Sequence, residues 1–475
     1  MMQASASAFV EPAPGAVRRT TGARPGRMSV PARRMRDMIQ TIPLALPDSL
    51  VDLHRIDLSA LYSTGWGVRA HDLAGAANGD VYALFGVNRY RSYGTAGDSS
   101  DPAHANFRYR VINRYSPDGE VLASAVWDPA PVDGAASAVA EGGDMTLCVL
   151  PDGVLAVSAC PDNTTLIAPD LSRVIATYRS HDQRPFKEYE PGDAYASSLG
   201  VTPSGRLLCS VSEYGVWRYG SPLTNIVGVA DGALTAASRP QITAIASLDP
   251  EPARHSEVDL RPHVAHQGTP IGLANRPRPA LTELVAGEDR LSGWDDSRLG
   301  RPAVMADDLF VVPFFAKTFR GGNRGRPFTF VLVTDRGEMT GRLHGLHEWR
   351  DSPFTGFCFN VTADARRGHA FHLNRYGLYA WNRAGMLRAR LDTESKTFKP
   401  LTHFTLHSCS PTGELLLIHN KQHLILRISV PADLTDLAAT VEEALRTYAR
   451  QRTALKKQAT PVNWHWTRTA VLHHL

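Results

Sequence analysis

The feature that most constrains the fold of this chain is a repeated pattern of short apolar runs joined by glycine-bearing turns. The pattern is clearest in three units, which begin at Met145, Cys358 and Phe404. Each unit reads as a strand, a turn such as Pro151-Asp152-Gly153, a second strand, a polar turn and a third strand, often followed by a fourth. Turns of this composition between apolar runs are typical of β-hairpins. The sequence therefore predicts a series of antiparallel meanders.

The same frame fits three further segments, beginning at Ala70, Ser198 and Ala303, which brings the number of units to six. A four-stranded meander repeated every roughly 40 to 60 residues is the signature of a β-propeller, whose blades bury their faces against neighbouring blades. The sequence predicts an all-β, six-bladed propeller. Residues 250–301 are too many for a plain connection, so a seventh, degenerate blade in this interval is the alternative.

Two of the units contain an asparagine-rich turn that precedes a strand and a second glycine turn. These are Asn113-Arg114-Tyr115 leading to Pro117-Asp118-Gly119, and Asn374-Arg375-Tyr376 leading to Ala384-Gly385. Over approximately residues 66–430 the chain resembles propeller repeats of the NHL or YVTN type. The resemblance implies the fold and leaves the function open, because such propellers bind proteins, lipids or nucleic acid, or act as hydrolases and lyases.

The regions that flank the repeats differ from them in composition. Residues 1–45 are rich in Ala, Pro, Arg, Ser and Gly without periodicity, and are predicted to be a disordered basic tail. Residues 46–431 are assigned to the propeller, whose last unit offers three strands. The alternating segment LVDLHRIDL, residues 50–58, is predicted to complete that unit and to close the ring.

Residues 432–475 are assigned to a C-terminal amphipathic helix and an apolar tail. Apolar residues recur at helical spacing from Leu434 to Tyr448, with acidic residues early and basic residues late, as the helix dipole favours. Two roles are open for this helix: it caps the propeller, or it docks a partner.

Charge argues against nucleic acid as a partner. The net charge of +4 depends on residues 1–37, where seven arginines face two acidic residues, so the remainder carries a net charge of −1. A chain with that balance has no bulk field to attract phosphates. No run of about 18 apolar residues and no apolar signal-peptide core is present. We therefore expect a cytoplasmic protein without a membrane partner.

No motif of recognised catalytic mechanism occurs in the sequence, and no cofactor or metal is predicted. The five cysteines are far apart and lack a CxxC pair, which favours reduced core thiols. Several histidines lie three or four residues apart, but strand geometry points residues three apart to opposite faces and separates those four apart by about 13 Å. Pairs within one strand therefore cannot share a zinc ion, whereas a pair across a tight turn, such as His419 and His423, escapes this objection.

Binding residues are expected on the long loops, which emerge on one face of a propeller when the connections between blades and between second and third strands are extended. Arginine and aromatic side chains carry much of the energy of interfaces, and clustered arginines suit carboxylates and phosphates. The candidates on these loops are Tyr93, Arg184, Trp294, Arg320, Arg324, Arg326 and Trp349.

These observations predict a non-catalytic binding or scaffolding module whose long-loop face takes a protein partner or a small anionic ligand. Nothing in the sequence requires catalysis, and whether the protein is an enzyme stays open. The alternative is a metal-dependent hydrolase or lactonase, in which residues from several blades meet in the central channel.

Overall fold

The computed structural model describes the six repeats and the C-terminal helix in detail. The described residues are 39–41, 66–89, 107–127, 146–159, 163–179, 194–218, 221–235, 242–247, 261–262, 273–274, 297–299, 301–316, 328–345, 361–419, 424–457 and 470–472.

The chain forms mostly strands, which we number in chain order. They are β1 (Ile39–Thr41), β2 (Trp66–Gly75), β3 (Val81–Arg89), β4 (Phe107–Tyr115), β5 (Val121–Trp127), β6 (Thr146–Val149), β7 (Leu155–Ala159), β8 (Asn163–Ile167), β9 (Val174–Arg179), β10 (Ala194–Val201), β11 (Arg206–Arg218), β12 (Ser221–Ala233), β13 (Ile242–Ser247), β14 (Arg261–Pro262), β15 (Leu273–Ala274), β16 (Ser297–Leu299), β17 (Ala303–Ala306), β18 (Leu309–Ala316), β19 (Phe328–Thr334), β20 (Met339–Arg342), β21 (Val361–Asp364), β22 (His369–Leu373), β23 (Gly377–Trp381), β24 (Leu387–Asp392), β25 (Phe404–Cys409), β26 (Glu414–His419), β27 (Leu424–Ser429) and β28 (Ala470–Leu472).

These strands form six sheets, one for each blade of the propeller. Blade 1 is β2-β3-β4-β5 with β28 outside it, blade 2 is β6-β7-β8-β9 with β14 outside it, and blade 3 is β10-β11-β12-β13 with β15 outside it. Blade 4 contains β16 to β20, blade 5 is β21-β22-β23-β24, and blade 6 is β25-β26-β27-β1. The first strands of neighbouring blades contact one another in the cyclic order β2, β6, β10, β17, β21, β25 and back to β2. The six-bladed propeller predicted from the repeats is confirmed.

The interval 250–301 does not form a blade of its own in the part of the chain that the structure describes. Its strands β14, β15 and β16 join blades 2, 3 and 4 at their edges. The count of six blades therefore stands without the degenerate seventh blade that we considered for this interval.

The ring closes through an N-terminal strand, but through a different segment from the one predicted. Strand β1 pairs antiparallel with β27, and Ile39 lies opposite Leu426. The fourth strand of blade 6 is thus Ile39–Thr41 and not residues 50–58, which lie outside the described residues. A strand of three residues is too short to produce an alternating pattern, whereas the nine-residue segment does so by composition alone. Strand β1 lies within the region assigned above to the N-terminal tail.

The turns inside the blades have the geometry that their sequences predict. Gly153 and Gly413 have φ values of 89° and 81°, in the left-handed region that glycine adopts without a steric penalty. In the first of these turns the amide of Leu150 donates to the carbonyl of Val154 at 2.8 Å. The short turns between first and second strands therefore lie together at one face of the ring, which we call the short-turn face.

Arginine side chains join adjacent blades at the short-turn face. Arg366 of blade 5 donates to the carbonyl of Pro411 in blade 6 at 2.8 Å. Arg427 of blade 6 donates to the carbonyl of Pro117 in blade 1 at 3.1 Å. These bonds cross blade boundaries and connect blade 5 to blade 6 and blade 6 to blade 1.

Helix α1 (Leu437–Lys457) is the C-terminal helix predicted from the apolar spacing. Leu437, Val441 and Tyr448 are buried in one apolar cluster with Phe371 of blade 5 and Leu417 of blade 6. The apolar face of α1 therefore packs against the propeller, as the capping role requires. Among the described residues, no helix combines the length and the apolar character that crossing a membrane requires.

Candidate functional site

The seven residues predicted to bind a partner or ligand all lie outside the described residues. They are Tyr93, Arg184, Trp294, Arg320, Arg324, Arg326 and Trp349. Their role at the long-loop face stays a prediction. The site described below is built from residues outside that set of seven.

A cavity of about 360 Å³ occupies the central channel and is lined by the first strands of all six blades or by the residues that adjoin them. Its walls are mainly small and apolar, with one representative from each blade in Ala74, Val149, Val201, Val304, Val361 and Ser408. The lining continues to the short turns, where Pro151, Pro203 and Pro411 contribute. The end of the cavity opposite the short turns is polar, because Arg301 and His407 line it, and we call this end the floor.

Asp72 lies behind that polar end and is completely buried. The residue belongs to β2, whose pairing with β3 contains a bulge between Ala70 and Asp72. Bulges re-aim the side chains that follow them. The Oδ1 atom accepts a hydrogen bond from the amide of Leu73 at 3.0 Å, and the Oδ2 atom accepts one from the amide of Leu147 in blade 2 at 2.8 Å.

Arg301 provides the cationic partner of Asp72. Its Nη1 atom lies 2.7 Å from the Oδ2 atom of Asp72, and the arginine side chain is 18% exposed whereas the aspartate side chain is 0% exposed. Arg301 precedes β17 of blade 4, which lies opposite blade 1 in a ring of six blades. The side chain therefore crosses the channel, and its guanidinium forms part of the floor of the cavity.

His407 is the third member of this group and comes from blade 6. It lies at a bulge in β25, between Leu406 and Ser408, so its side chain faces the channel. The Nδ1 atom is 3.5 Å from the Oδ1 atom of Asp72, within ion-pair distance but without the geometry of a hydrogen bond, and the side chain is 6% exposed. One carboxylate thus contacts a guanidinium through one oxygen and an imidazole through the other. Cys148 of blade 2 also lines the cavity, and its thiol forms a hydrogen bond with Arg301. We call Asp72, Arg301, His407 and Cys148 the channel cluster.

The electrostatics of the channel cluster favour an ionised Asp72. Burial by itself raises the pKa of this carboxyl, but the charge of Arg301, with the contributions of His407 and the Leu147 amide, outweighs burial and holds the pKa below its ordinary value. Asp72 is therefore a carboxylate at neutral pH.

Two cysteines adjoin the cavity, and both are free. Burial raises the pKa of the Cys148 thiol to about 12, although a hydrogen bond with Arg301 opposes this shift. Burial also raises the pKa of the Cys409 thiol well above its ordinary value. Because the thiolate is the nucleophilic form, neither cysteine is an activated nucleophile at neutral pH. Both behave as the core thiols that the sequence predicts.

Within the ranges that the structure describes, no three His, Cys, Asp or Glu side chains are grouped so that they could hold a metal ion. The histidine pair His369 and His372, which has the spacing considered above, contributes to packing. His372 is fully buried and packs edge-to-face against Phe330 at a centroid distance of 5.0 Å. Burial lowers the pKa of the partly exposed His369.

One feature of the sequence points to the channel cluster. Asp72 lies in a strand that also carries Arg69 and His71, and a charged residue in a strand requires a partner if it is buried. Arg301 and His407 carry no comparable signal, because an arginine before a strand and a histidine within one are common. Their convergence depends on the ring, which brings residues of blades 1, 4 and 6 to one point.

Comparisons with known proteins give only distant likenesses. No protein-family model and no curated protein sequence matches the chain. Among solved structures, a gluconolactonase from Xanthomonas campestris is 10% identical, with 76% of this chain and 98% of that chain covered and a TM-score of 0.27. An ulvan lyase is 9% identical over 78% and 81% of the two chains with a TM-score of 0.30. A xyloglucanase from Xanthomonas campestris is 15% identical over 75% and 52%, with a TM-score of 0.33. The six-bladed fold itself is established by the strand pairing described above.

Proposed function

We propose that this propeller binds a small organic molecule with an apolar body and an anionic head group in its central cavity. The observation that carries the proposal is the cationic Arg301 at the floor of a cavity whose walls come from all six blades. Small-molecule sites in proteins are typically concave, mostly apolar and of about 300 to 1,000 Å³, with a few placed polar groups that fix orientation. The cavity of about 360 Å³ has these properties.

The head group is expected to be anionic because the two charges of the ion pair are presented unequally. Asp72 is fully shielded, while the Arg301 side chain keeps 18% of its surface exposed and lines the cavity. Of this ion pair, a ligand in the cavity therefore meets the cation and not the carboxylate, and the carboxylate that does line the cavity, Asp364, forms its own ion pair with Arg367 at 3.0 Å. Arginine presents several donors in a planar array, which matches carboxylate, phosphate and sulfonate oxygens.

The apolar body follows from the walls. Val149, Val201, Val304 and Val361 contribute aliphatic surface between the floor and the short turns. Burying apolar ligand surface here gains roughly 25 cal/mol for each Å² removed from water. A chain or ring of several carbons would use this surface, whereas a fully hydrated ion would not.

Titration calorimetry on the full chain tests the proposal, with butanoate, hexanoate and octanoate as probes and 1-octanol as the uncharged reference. Affinity is expected to rise along the carboxylate series, and octanoate is expected to bind about ten- to a hundredfold more tightly than 1-octanol, as a charge-assisted hydrogen bond provides. No binding of octanoate, or equal affinity for octanoate and 1-octanol, would contradict the proposal.

The double variant Asp72→Asn/Arg301→Met removes both charges together and is therefore expected to fold. It should lose most of the preference for octanoate. A matched control is Arg383→Met, because Arg383 forms an ion pair with Asp308 at the protein surface, where its side chain is 60% exposed. The control should bind octanoate as the unmodified protein does.

The alternative function is a metal-dependent hydrolase or lactonase, whose site would also lie in the central channel. The location of the cavity is the observation that supports this alternative. Elemental analysis by mass spectrometry of protein purified without added metal separates the two. A stoichiometric divalent ion together with hydrolysis of esters or lactones would favour the enzyme. Protein partners at the long-loop face remain a separate prediction, which this experiment does not address.

A further inference from the structure

His407 is the one member of the channel cluster whose hydrogen-bonding capacity is incompletely used in the part of the chain that the structure describes. Its ring lines the cavity, and its Nδ1 atom faces the Oδ1 atom of Asp72 at 3.5 Å. That buried nitrogen forms no hydrogen bond with any described residue, and the carboxylate of Asp72 is the acceptor that faces it. The aspartate is therefore the group that orients the imidazole.

The carboxylate determines which nitrogen of the ring carries the proton. Asp72 is an acceptor, and it is held in place by the amides of Leu73 and Leu147. A neutral imidazole beside it places its proton on Nδ1, so that Nε2 keeps its lone pair. Because the two nitrogens lie on opposite sides of the ring, Nε2 points away from Asp72. A ligand in the cavity then meets a hydrogen-bond acceptor at His407.

The residues that supply the acceptor and the cation both adjoin the same carboxylate and both line the cavity. Arg301 contacts the Oδ2 atom of Asp72 at 2.7 Å, and His407 faces its Oδ1 atom. A head group that satisfies both needs a negative oxygen for the guanidinium and, one or two bonds away, a donor for the imidazole. A simple carboxylate offers only the first of these.

We infer that the ligand is a hydroxycarboxylic acid with the hydroxyl beside the carboxylate, which donates to Nε2 of His407 while Arg301 binds the carboxylate. This rests on the proposed function and adds a specificity-determining residue to it. Two polar contacts and one apolar wall fix three substituents of the carbon that bears the hydroxyl, so the site also distinguishes the two enantiomers.

The test compares 2-hydroxyoctanoate with octanoate by titration calorimetry on the full chain. The unmodified protein is expected to prefer 2-hydroxyoctanoate by about tenfold, the upper end of what one hydrogen bond contributes. One enantiomer is expected to account for this preference. The ratio of the two affinities is the readout, so a general weakening of binding does not imitate the effect.

The variant His407→Leu is expected to bring the ratio of affinities close to one. His403→Leu is the matched control, because His403 lies in the short helical turn before β25, is exposed and does not line the cavity. The control should keep the tenfold preference. If His407→Leu does not fold, the comparison of enantiomers on the unmodified protein decides the matter.

Failure of the inference is distinct from failure of the proposed function. Binding of octanoate with no preference for its 2-hydroxy derivative, equal affinity for the two enantiomers, or an unchanged ratio in His407→Leu would overturn the role of His407 and leave the anion site standing. Absence of octanoate binding would overturn the proposed function itself.

Discussion

Two buried polar clusters lie within or beside blade 1, and they differ in how their members are assembled. The blade cluster consists of Asn113 and Tyr115 of β4 and Ser124 of β5. Ser124 donates to the side-chain carbonyl of Asn113, whose amide donates to the Tyr115 hydroxyl at 3.0 Å. Asn113 and Ser124 are direct partners in the strand register. Every member is uncharged at neutral pH, belongs to one sheet and is absent from the cavity lining.

The channel cluster brings together charged and titratable side chains from blades 1, 2, 4 and 6, at the floor of a cavity. Burying charges costs free energy that their mutual attraction offsets only partly, and apolar residues of similar volume are often as stable. A cluster of neutral groups on adjacent strands serves folding, since each group satisfies the next. Charges that converge from separate blades on a cavity indicate a site for a ligand.

The largest effect on stability is expected when one partner of the Asp72–Arg301 ion pair is replaced and the other is kept. Asp72→Asn removes the carboxylate that Arg301 contacts at 2.7 Å, and we expect a loss of about 3 kcal/mol in the free energy of unfolding. The double variant Asp72→Asn/Arg301→Met should recover most of this loss. Urea denaturation of the two single variants and the double variant measures the coupling as a double-mutant cycle. Additive losses would show that the two residues do not act as a pair.

The same single variant should strengthen ligand binding while it weakens the fold. With Asp72 replaced by a neutral residue, Arg301 loses the carboxylate that it contacts, and a bound ligand carboxylate takes its place. Titration calorimetry is therefore expected to give Asp72→Asn a higher affinity for octanoate than the unmodified protein, by about tenfold. A lower affinity would mean that the carboxylate of Asp72 is needed to position Arg301.

The blade cluster should respond in stability alone. Ser124→Ala removes the hydroxyl that donates to the side-chain carbonyl of Asn113, and removing one partner of a buried hydrogen bond costs about 1 to 3 kcal/mol. We expect that loss in urea denaturation and no change in octanoate affinity. A change in octanoate affinity of tenfold or more would contradict the claim that only the channel cluster contributes to ligand binding.

Acid titration separates the clusters through the ionisation of Asp72. The pKa of this carboxyl is lowered in the folded protein relative to its ordinary value of 3.8, so its contribution to stability is present above that value. The contribution is lost as the pH falls through the folded pKa. The unmodified protein should therefore lose more stability below about pH 4 than Asp72→Asn/Arg301→Met does. Ser124→Ala should follow the unmodified profile, and equal acid sensitivity of all three proteins would remove Asp72 from this role.

The smallest expected effect concerns the thiol in the channel cluster. Because burial raises the pKa of Cys148 to about 12, alkylation by iodoacetamide at neutral pH should be slow in the folded protein and fast in urea. Octanoate should slow it further, by a factor of a few, since Cys148 lines the cavity. Site-resolved mass spectrometry gives the rates. Rapid alkylation of Cys148 in the folded protein would contradict its burial.

The fold was predictable because its signals are local. Turn glycines such as Gly153 and Gly413 adopt the positive φ values that their sequence context predicts, and the apolar spacing of α1 gave the helix. The closing strand β1 was missed because three residues carry no period, and a neighbouring alternating segment offered a stronger pattern. Signals from one hairpin or one helix are therefore visible in a single sequence. Closure of the ring by an N-terminal strand was also predicted, but the segment that forms this strand was not.

The channel cluster was not predicted, because its members become neighbours only when the ring closes. Asp72, Arg301 and His407 lie in three different repeats, and no spacing along the chain relates them. The binding residues predicted from the sequence are instead the arginine and aromatic residues of the predicted long loops. Those residues lie outside the described residues, so that prediction remains to be tested alongside the channel.

A crystal structure of the protein with 8-bromooctanoate tests the central claim most directly, because the anomalous signal of bromine locates the tail without assumptions about the pose. The account predicts the carboxylate within hydrogen-bond distance of Arg301 and the bromine among the aliphatic walls near Val149 and Val201. A bromine bound only outside the channel, with the cavity free of the ligand at saturating concentration, would contradict it.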